Sequence, residues 1–386
     1  MVSVKDRIAL KFRLEVLSPV HIGTGNTLTL WDFAIRSNYL FVLNHDEFFN
    51  FLRKEGKLEQ AISAMESGQG KADDFLGQWI PENLIRYRLY IDPSIKDPQK
   101  NIKRVLEAIK HLNLDSSGKL RSVFYIPATE VKGYVRTAII YCYLRDNWQR
   151  FRNRFSNINR GFDFKRIIEN DIFGDAVEDP MKYLKTEDIY GDFDTNVVGV
   201  KILFSSRNFI DSAEAILKSK SKTIKVVIDK GRLNQGIGTY IKNWTRCCYE
   251  FTKDLIEAEI KFWEDVRDGV ILRIIKDQRI QYRFRGNHIK STASEVINQL
   301  EKIKENNSKS SPVIRIGRFT GYLFHTVSAL LNGRFQQYTH QNQPYNVAPI
   351  GDQIGARNAK QCLFPLTRRL TLDNQTLGWC RLVEAS

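Results

Sequence analysis

The chain has 386 residues, of which 42% are hydrophobic and 27% are charged, as expected for a folded globular protein and not for a disordered or fibrous one. Its 59 Lys and Arg side chains outnumber the 44 Asp and Glu side chains and leave a formal net charge of +15. This excess predicts a polyanionic partner, nucleic acid first and an anionic membrane surface second. No apolar segment approaches the ~20 residues that span a bilayer, and the first residues predict a strand instead of a signal peptide, so we expect a cytoplasmic protein that does not bind a membrane.

The length allows two to three domains of about 150 residues each.

The cysteines and histidines give no indication of a metal site. The five cysteines contain no Cys-x-x-Cys pair, and an odd number fits a reducing compartment, so we interpret them as buried thiols. The six histidines contain no His-x-x-x-His pair. The sequence therefore predicts neither a metal nor another cofactor.

The first elements predict half of a ferredoxin-like unit. Residues 12–16 alternate apolar and charged side chains, which predicts a half-buried antiparallel strand. A glycine-rich turn with one histidine follows over residues 17–25, and a second strand is predicted over residues 33–42. A helix should begin near Asp46 with Asn44 or His45 as its cap. Strand, loop, strand and helix in this order form half of a split β-α-β unit.

Residues 53–120 are polar and predict a helical insertion that includes an amphipathic helix over residues 99–113. A short apolar strand follows at residues 123–126 and should end at Pro127. Thr129 then offers an N-cap oxygen to a helix. The apolar stripe of this helix is predicted to consist of Val131, Val135, Ala138, Ile139 and Cys142.

Two cations, Lys132 and Arg136, lie one turn apart at the start of that helix. The helix dipole disfavours a cation at this end by about 0.3–1 kcal/mol. A bound anion would reverse the effect, because the free amides and both cations could bind a phosphate together. The alternative is a solvated helix start with long basic side chains, and these residues alone do not decide between the two.

Basic and aromatic residues interleave over residues 145–166, where seven Lys or Arg side chains, Arg152 and Arg154 among them, alternate with five aromatic rings. Cations that pair with phosphates and rings that stack on bases suit a single nucleic-acid strand. An amphipathic helix with its rings in the core and its arginines in solvent would give the same pattern. Both interpretations stay open.

The second half repeats part of this organisation. The lysine-rich residues 218–222 indicate a surface segment near a domain boundary. Strands are predicted over residues 197–204 and 256–262, and a polar helix over residues 289–305.

Residues 313–331 predict a strand, a glycine loop and a helix, as at residues 123–144, with Arg315 and Arg318 supplying the charge. This similarity between residues 313–331 and residues 123–144 suggests a duplicated fold. Residues 332–361 form a long Asn- and Gln-rich segment of the kind that a ligand orders. The last segments, residues 362–372 and 377–382, predict a closing hairpin in which at least one of Arg368 and Arg369 is exposed.

Four separated motifs resemble one family, the RAMP proteins of type III CRISPR effectors. The motifs are residues 17–25, 125–139, 316–321, and 365–369 together with 377–379. The pattern Ile-Pro-x-x-x-x-Lys-Gly-x-x-Arg-Thr at residues 126–137 is the most specific part. The order of the motifs and the length most resemble the fifth subunit of type III-A (Csm) complexes, which caps the 3′ end of the CRISPR RNA (crRNA).

This resemblance implies an α+β fold of two ferredoxin-like (RRM-like) RAMP domains with antiparallel sheets, helical insertions and glycine-rich loops. We expect the N-terminal domain over residues 1–205, with the insertion at about 53–120, and the C-terminal domain over residues 206–386. The implied partners are the 3′ region of the crRNA, the repeated Csm backbone subunit, the small helical Csm subunit, nearby target RNA and recruited host nucleases.

The resemblance also implies which residues contact RNA. The interaction should be salt-sensitive and independent of the guide sequence, because cations and glycine loops contact the backbone. The expected RNA-binding residues are His21, Gly23, Gly25, Lys132, Gly133, Arg136, Arg152, Arg154, Arg315, Gly317, Arg318 and Gly321.

Two departures from the family pattern bear on function. The loop at residues 317–321 contains fewer glycines than is usual in the family. The repeated backbone subunits cut target RNA with an Asp in the loop after their first strand, whereas residues 23–31 contain no acid and Asp32 comes only at the next strand. The second departure favours a subunit that caps the complex, supports crRNA 3′ maturation in antiviral defence and does not cleave RNA.

Two other functions stay open. A metal-independent endoribonuclease could use His21 as general base and Lys132 to stabilise the developing charge, if the imidazole reaches a 2′-hydroxyl. The chain could also be another RAMP subunit of a type III complex, such as the one that holds the 5′ handle. Nucleotide binding at residues 23–25 is disfavoured, because Leu28 stands where the fingerprint needs a third glycine.

Overall fold

The computed structural model describes residues 6–114, 120–155, 168–175, 177–191, 193–204, 210–219, 222–272, 286–321, 325, 327 and 367–385. The strands in these ranges are β1 (Arg7–Val16), β2 (Gly23–Leu28), β3 (Phe33–Arg36), β4 (Tyr39–Leu43), β5 (Ile85–Ile91), β6 (Val105–Ala108), β7 (Lys110–Leu114), β8 (Leu120–Ile126), β9 (Leu184–Thr186), β10 (Ile189–Tyr190), β11 (Phe193–Leu203), β12 (Ile210–Ser219), β13 (Lys222–Asp229), β14 (Val313–Arg315), β15 (Arg368–Thr371) and β16 (Trp379–Ala385).

The α-helices in the same ranges are α1 (His45–Lys54), α2 (Leu58–Glu66), α3 (Pro98–Asn101), α4 (Ala128–Asp146), α5 (Trp148–Phe155), α6 (Asn170–Phe173), α7 (Ile237–Lys242), α8 (Trp244–Arg267) and α9 (Gly286–Glu305). Short 3₁₀ turns connect several of these elements. None of the described helices is long and apolar enough to cross a membrane.

A five-stranded antiparallel sheet with the order β14-β16-β1-β13-β9 carries two of the long helices. Its central strand β1 buries Phe12 and Leu14 on one face, which confirms the alternation predicted for residues 12–16. Helices α4 and α8 pack against this sheet, and α9 packs against α8. The Trp244 ring at the start of α8 meets the Phe12 ring edge-on at 5.2 Å.

A larger sheet has the order β2-β6-β12-β11-β5-β4-β3, and β15 pairs with the last residues of β11. Most of its pairs are antiparallel, but β5 pairs with β11 and β6 pairs with β12 in parallel. The prediction of antiparallel sheets thus holds for most pairs, and these two parallel pairs depart from it. A third, small antiparallel sheet has the order β10-β8-β7.

The predicted domain boundary at 205/206 falls between β11 and β12. These strands pair with each other from Phe193↔Ser219 to Lys201↔Ile210. Strand β1, from the first predicted domain, pairs with β13 and β16 from the second. Both large sheets thus contain strands of both predicted domains, and one apolar core extends through them. The division into two ferredoxin-like domains stays a prediction.

Several local predictions are confirmed. Strand β8 ends before Pro127, and the apolar stripe predicted for α4 is buried at all five positions, from Val131 to Cys142. Helix α1 begins after Asn44, and α9 contains the helix predicted over residues 289–305. Four of the five cysteines are buried thiols, whereas Cys362 lies outside the described residues.

Other local predictions are wrong. The helix predicted over residues 99–113 is the short α3 followed by β6 and β7, because β6 is held between β2 and β12 in the large sheet. The strand predicted over residues 256–262 lies inside α8, where Ile256, Glu259, Ile260 and Trp263 are buried at helical spacing.

The prediction of a closing hairpin is also wrong. Strands β15 and β16 do not pair with each other, because β15 pairs with β11 and β16 pairs with β1 and β14. Arg369 is exposed, which confirms the prediction that at least one of Arg368 and Arg369 is exposed. The segment predicted over residues 332–361 and the helix predicted after Gly321 lie outside the described residues.

Candidate nucleic-acid interface

Segments from both ends of the chain meet beside the start of α4. We call this place the glycine-loop junction; it consists of residues 17–22 after β1, residues 316–321 after β14, residues 376–378 before β16, and the first two turns of α4. These parts contain residues of all four family motifs. The fold thus brings together motifs that are more than 350 residues apart in sequence.

Main-chain hydrogen bonds join the three loops of the junction. The Arg318 N–H donates to the His21 carbonyl oxygen at 2.9 Å. The Gly378 N–H donates to the Pro19 carbonyl at 2.8 Å, and the Ile316 N–H donates to the Gly378 carbonyl at 2.8 Å. Because each loop supplies donors or acceptors to another, the junction is one cooperative unit.

Helix α4 is tied to this unit through an acid. The Gly317 N–H donates to Glu130 Oε2 at 3.2 Å. Glu130 lies in the first turn of α4, so its carboxylate fixes the loop after β14 relative to the helix.

Two glycines of the junction are needed for packing of the chain against itself. Gly317 has φ +93°, and a Cβ added there would lie 2.5 Å from the His21 carbonyl oxygen. Gly378 has φ +91°, and a Cβ there would collide with the Ile316 carbonyl oxygen. At both positions a side chain would be strained and would separate the loops.

Three other glycines face open space instead. A Cβ added at Gly25, Gly133 or Gly321 meets no atom of the described residues within 4 Å. Gly133 and Gly25 are exposed, and Gly321 is half-buried. These three glycines leave room for a ligand to approach the backbone, which Gly317 and Gly378 do not.

The His21 side chain lies in the core, with 2% of its surface exposed. Its Nδ1–H donates to the Glu214 carbonyl oxygen at 2.7 Å, and its ring stacks on Phe319 at 5.1 Å between centroids. Burial lowers the pKa of His21 to about 4; the hydrogen bond to Glu214 opposes this, and the cations of Arg318 and Lys110 add to it.

The His21 imidazole is therefore neutral at pH 7. Its Nε2 is buried and has no hydrogen-bond partner among the described residues, and a Cβ on Gly23 would lie 2.9 Å from it. This position does not fit the predicted contact between the imidazole and a phosphate, nor a general base within reach of a 2′-hydroxyl. Gly23 is half-buried and lies against the His21 ring.

A buried ionic cluster beneath His21 has no signature in the sequence. The Glu214 side chain is 0% exposed, and its carboxylate accepts hydrogen bonds from Lys110 Nζ at 2.5 Å, the Tyr87 hydroxyl at 2.7 Å and the Ala108 N–H at 2.7 Å. Burial, followed by the Glu214 charge, raises the pKa of Tyr87. Since the Glu214 carbonyl also accepts from His21, the cluster holds the first loop in place. Its members are too far apart in sequence for any local pattern to connect them.

Arg315 is buried and contacts its own chain. Its Nε donates to the Leu377 carbonyl oxygen at 2.8 Å, and its guanidinium lies over the Trp379 ring at 4.7 Å. Burial lowers the pKa of Arg315 to about 10. The side chain clamps β14 to the segment before β16, so in this conformation it does not supply the predicted phosphate contact.

Arg136 is likewise engaged with its own chain. Its Nη1 lies 2.5 Å from Asp179 Oδ2, its Nη2 lies 3.4 Å from Glu169 Oε2, and its guanidinium lies over the Phe173 ring at 4.0 Å. These contacts anchor residues 169–179 to α4. They do not fit the predicted phosphate contact, because the charge is already compensated by two acids.

Lys132 lies in the second turn of α4, near Arg136. Successive helical residues are about 100° apart, so Lys132 and Arg136 share one side of α4, roughly 110° around the helix from the side that Glu130, Gly133 and Thr137 share. Partial burial lowers the pKa of Lys132; Asp179 opposes this change, and Arg136 adds to it. The helix start and the loops after β1 and β14 are thus brought together, but Lys132 and Arg136 do not line the cavity between α4 and the loop after β14.

The start of α4 is capped by the chain itself. Its N-cap is Pro127, so the prediction of Thr129 is wrong. The Ala128 N–H donates to Asp188 Oδ1 at 2.7 Å. A carboxylate of the same chain thus lies at the helix end where a bound anion was one of the two interpretations.

Two exposed arginines remain close to the glycine-loop junction. Arg318 follows Gly317 and is exposed. Arg369 in β15 is exposed as well; partial burial lowers its pKa, Asp211 opposes this change, and the nearby charge of Arg318 adds to it. Arg369 belongs to a family motif but was not among the residues expected to bind RNA.

A cavity of about 170 Å³ opens at the junction between α4 and the loop after β14. It is lined by Thr129, Glu130, Gly133, Tyr134, Thr137, Arg315, Ile316 and His325. It therefore lies on the side of α4 that carries Gly133 and not on the side that carries Lys132.

The basic and aromatic segment is described only in part. Helix α5 packs Phe151 into the core and Trp148 against it, which fits the amphipathic alternative for these two rings. The side chains of Arg152 and Arg154 and all of residues 156–167 lie outside the described residues.

Comparison with known proteins identifies the family. The profile of the RAMP superfamily matches residues 13–322. The chain is a RAMP protein. The match covers more than half of the chain and contains three of the four motifs that carry the resemblance, which confirms the family predicted from the sequence.

Three relatives of this RAMP protein belong to Csm systems. "CRISPR system Cms protein Csm5" of Methanocaldococcus jannaschii is 24% identical over 199 residues, which are 48% of this chain and 44% of the relative, so the chain spans under half of that protein's length. A chain in the cryo-EM structure of a Csm-crRNA-target RNA ternary complex of a type III-A CRISPR-Cas system matches with a TM-score of 0.60 and 20% identity, over 97% of this chain and 100% of that chain. The crystal structure of T. onnurineus Csm5 matches with a TM-score of 0.55 and 20% identity, over 95% and 99%.

At these identities the structural likeness establishes the fold of this RAMP protein over nearly its whole length. The resemblance to Csm subunits predicted from four short motifs is confirmed. The roles of the individual residues rest on the geometry of the glycine-loop junction described above.

Proposed function

We propose that this RAMP protein is a non-catalytic RNA-binding subunit of a type III-A CRISPR effector complex that caps the complex at the 3′ end of the crRNA. The observation that carries the proposal is the glycine-loop junction, where exposed Arg318 shares a loop with the open Gly321, and Glu130 ties this loop to the start of α4, which carries the open Gly133. A cation next to backbone that no side chain shields suits a phosphodiester strand.

Charge and geometry support RNA as the ligand. The formal net charge of +15 attracts a polyanion, and the affinity should come mainly from phosphate contacts. Such contacts position a strand without reading its bases. A subunit that carries guides of any sequence needs this independence.

The similarity to a chain of a Csm-crRNA-target RNA complex supports the proposed partners. We infer that the chain holds the 3′ region of the crRNA beside the repeated backbone subunit and the small helical subunit, with target RNA nearby. Protection of the 3′ region would support crRNA maturation by recruited host nucleases.

The position of His21 disfavours the endoribonuclease alternative. An imidazole that is 2% exposed cannot approach a 2′-hydroxyl unless the first loop opens, and a pKa near 4 makes it a weak base. We therefore infer that the subunit binds RNA and does not cut it.

The first test is RNA binding by the purified chain, measured by fluorescence anisotropy with labelled single-stranded RNA at several salt concentrations. Arg318→Gln should lower the slope of log K against log[salt] by about 0.7, the value for one phosphate contact of a single strand. Arg267→Gln is a matched control, because this arginine is also exposed but lies at the end of α8, outside the junction. Equal slopes for the wild type and Arg318→Gln would exclude Arg318 from the interface.

The second test concerns the 3′ end. Complexes assembled with and without this chain are purified, and both ends of their crRNA are sequenced. Without the chain we expect heterogeneous 3′ ends and an intact 5′ handle. A change at the 5′ handle would instead assign the chain to the 5′ end, and unchanged termini would refute the capping role.

A further inference from the structure

The small sheet β10-β8-β7 presents an aromatic face that the glycine-loop junction does not include. In its register Tyr190 lies opposite Tyr125, and His111 lies opposite Val123. Because side chains alternate along a strand, His111, Val123 and Tyr125 project from the same face as Tyr190. Arg121 projects from that face too, two residues before Val123.

The three rings form one cluster. The rings of Tyr125 and Tyr190 are stacked at 5.3 Å with 21° between their planes. The His111 ring meets Tyr190 at 4.6 Å and Tyr125 at 5.7 Å, edge-on in both cases. Tyr190 is 50% exposed, so the cluster is open to solvent at this ring.

Hydrogen bonds hold the rings of the cluster in place. The Tyr190 hydroxyl donates to Asp188 Oδ2 at 3.0 Å, and His111 Nδ1–H donates to the Val123 carbonyl oxygen at 3.1 Å. Rings that are fixed before a ligand arrives lose little entropy when it binds.

We propose that His111, Tyr125 and Tyr190 form a stacking platform for an unpaired base of the RNA strand that the junction holds. A base would continue the Tyr125–Tyr190 stack on the open ring of Tyr190. This inference rests on the proposed function and adds a second contact, to the base, beside the phosphate contact.

The platform is continuous with the junction, which favours RNA over another occupant. Asp188 joins the two sites, since its Oδ1 accepts the first amide of α4 and its Oδ2 accepts the Tyr190 hydroxyl. The chain from Tyr125 to Gly133 spans at most about 18 Å, because three extended residues reach ~11 Å and five helical residues rise ~7.5 Å. One strand can therefore reach both sites within a few nucleotides.

The chemistry of the face also fits a base. Tyrosine and histidine rings stack on unpaired bases in single-strand recognition, and this stacking tolerates any base. Arg121 is exposed on the same face and places positive charge beside the platform. A stacking contact would add affinity while preserving the independence of guide sequence that a crRNA subunit requires.

The test compares Tyr190→Ala with Tyr190→Phe, which keeps the ring and loses only the hydroxyl. Trp79→Ala is the matched control, because Trp79 is an aromatic residue that is 89% exposed and lies outside the platform and the junction. Binding of labelled single-stranded RNA to the full chain is measured by anisotropy. Stacking is measured as quenching of 2-aminopurine placed at successive positions of the RNA.

We expect Tyr190→Ala to weaken binding by about 5- to 140-fold, the loss of one stacked base, and to abolish the quenching at one position. The salt slope should stay at the wild-type value, because no phosphate contact is removed. Trp79→Ala should bind and quench like the wild type. Tyr190→Phe should keep the quenching and most of the affinity, because the ring remains and only the hydrogen bond that orients it is lost. Circular dichroism melting of each variant checks that the fold is retained.

The outcomes separate this inference from the proposed function. If Tyr190→Ala binds and quenches like the wild type while Arg318→Gln lowers the salt slope, the platform is refuted and the proposed function stands. If Tyr190→Ala keeps full RNA binding but no longer enters the Csm complex, the face is a protein contact and the platform is likewise refuted. A wild-type chain that ignores RNA would refute the proposed function itself.

Discussion

Replacement of Gly317 by Ala tests whether this glycine serves the fold. Gly317 has φ 93° and ψ 179°, a region that is open almost only to glycine, and a side chain there costs about 1–3 kcal/mol. Its Cβ would also lie 2.5 Å from the His21 carbonyl oxygen. The loops must then separate and lose the hydrogen bond from Arg318 to His21, which costs about a further 0.5–1.5 kcal/mol. We expect Gly317→Ala to lower the free energy of unfolding by about 1.5–4.5 kcal/mol.

Gly321→Ala supplies a matched control for this experiment. Gly321 has nearly the same backbone conformation, with φ 87° and ψ 167°, but its added Cβ meets no atom within 4 Å. It should therefore show the conformational cost without the steric cost. Urea unfolding measures both variants, and a shift of the midpoint at constant slope reports the loss of stability. Equal losses for the two variants would refute the argument that contact with His21 makes Gly317 necessary.

Two further predictions concern Gly133 and His21. Gly133→Ala should stabilise the protein by about 0.5–1 kcal/mol, because alanine favours a helix interior and nothing lies within 4 Å, yet it should weaken RNA binding. Urea unfolding and anisotropy report the two effects, and tighter RNA binding by the variant would contradict the proposed path of the strand. For His21, the pKa falls from 6.5 to about 4 on folding, so the unfolded chain binds more protons between these values and the free energy of unfolding should rise with pH across that window, by ~3 kcal/mol in total. His325, whose pKa burial also lowers, contributes with the same sign, so the check is a smaller pH dependence of urea unfolding in His21→Asn than in the wild type.

Parts of the fold with a strong local signal were predictable from the sequence. The strand that ends before Pro127 and the buried stripe of α4 follow from a helix breaker and a 3.6-residue period, which depend on neighbouring residues alone. Residues 99–113 could not be assigned in this way. Most of that segment is strand because β6 lies between β2 and β12, and the pairing with β12 at Ser212↔Val105 joins residues about a hundred positions apart.

The sequence indicated which segments belong to the family motifs, but it could not predict the surroundings of each residue in them. The motifs that contain His21, Gly133 and Gly317 do converge, as the resemblance implied. A sequence does not distinguish a glycine that approaches its own backbone, such as Gly317, from one that approaches a ligand. Nor does it distinguish an exposed cation from Arg315, which lies over a tryptophan ring. These differences depend on burial, which only the assembled fold determines.

If the chain binds RNA as proposed, the Glu130 carboxylate limits where the strand can lie on the junction. It accepts the Gly317 N–H, so this amide is not available to a phosphate, and its negative charge repels one. Arg318, the next residue, is exposed and attracts a phosphate. Because repulsion and attraction act at neighbouring positions, the strand should pass beside Arg318 and over the open backbone at Gly321 and Gly133. Gly317 then holds the loop in shape, and the other two glycines leave the space that the strand occupies.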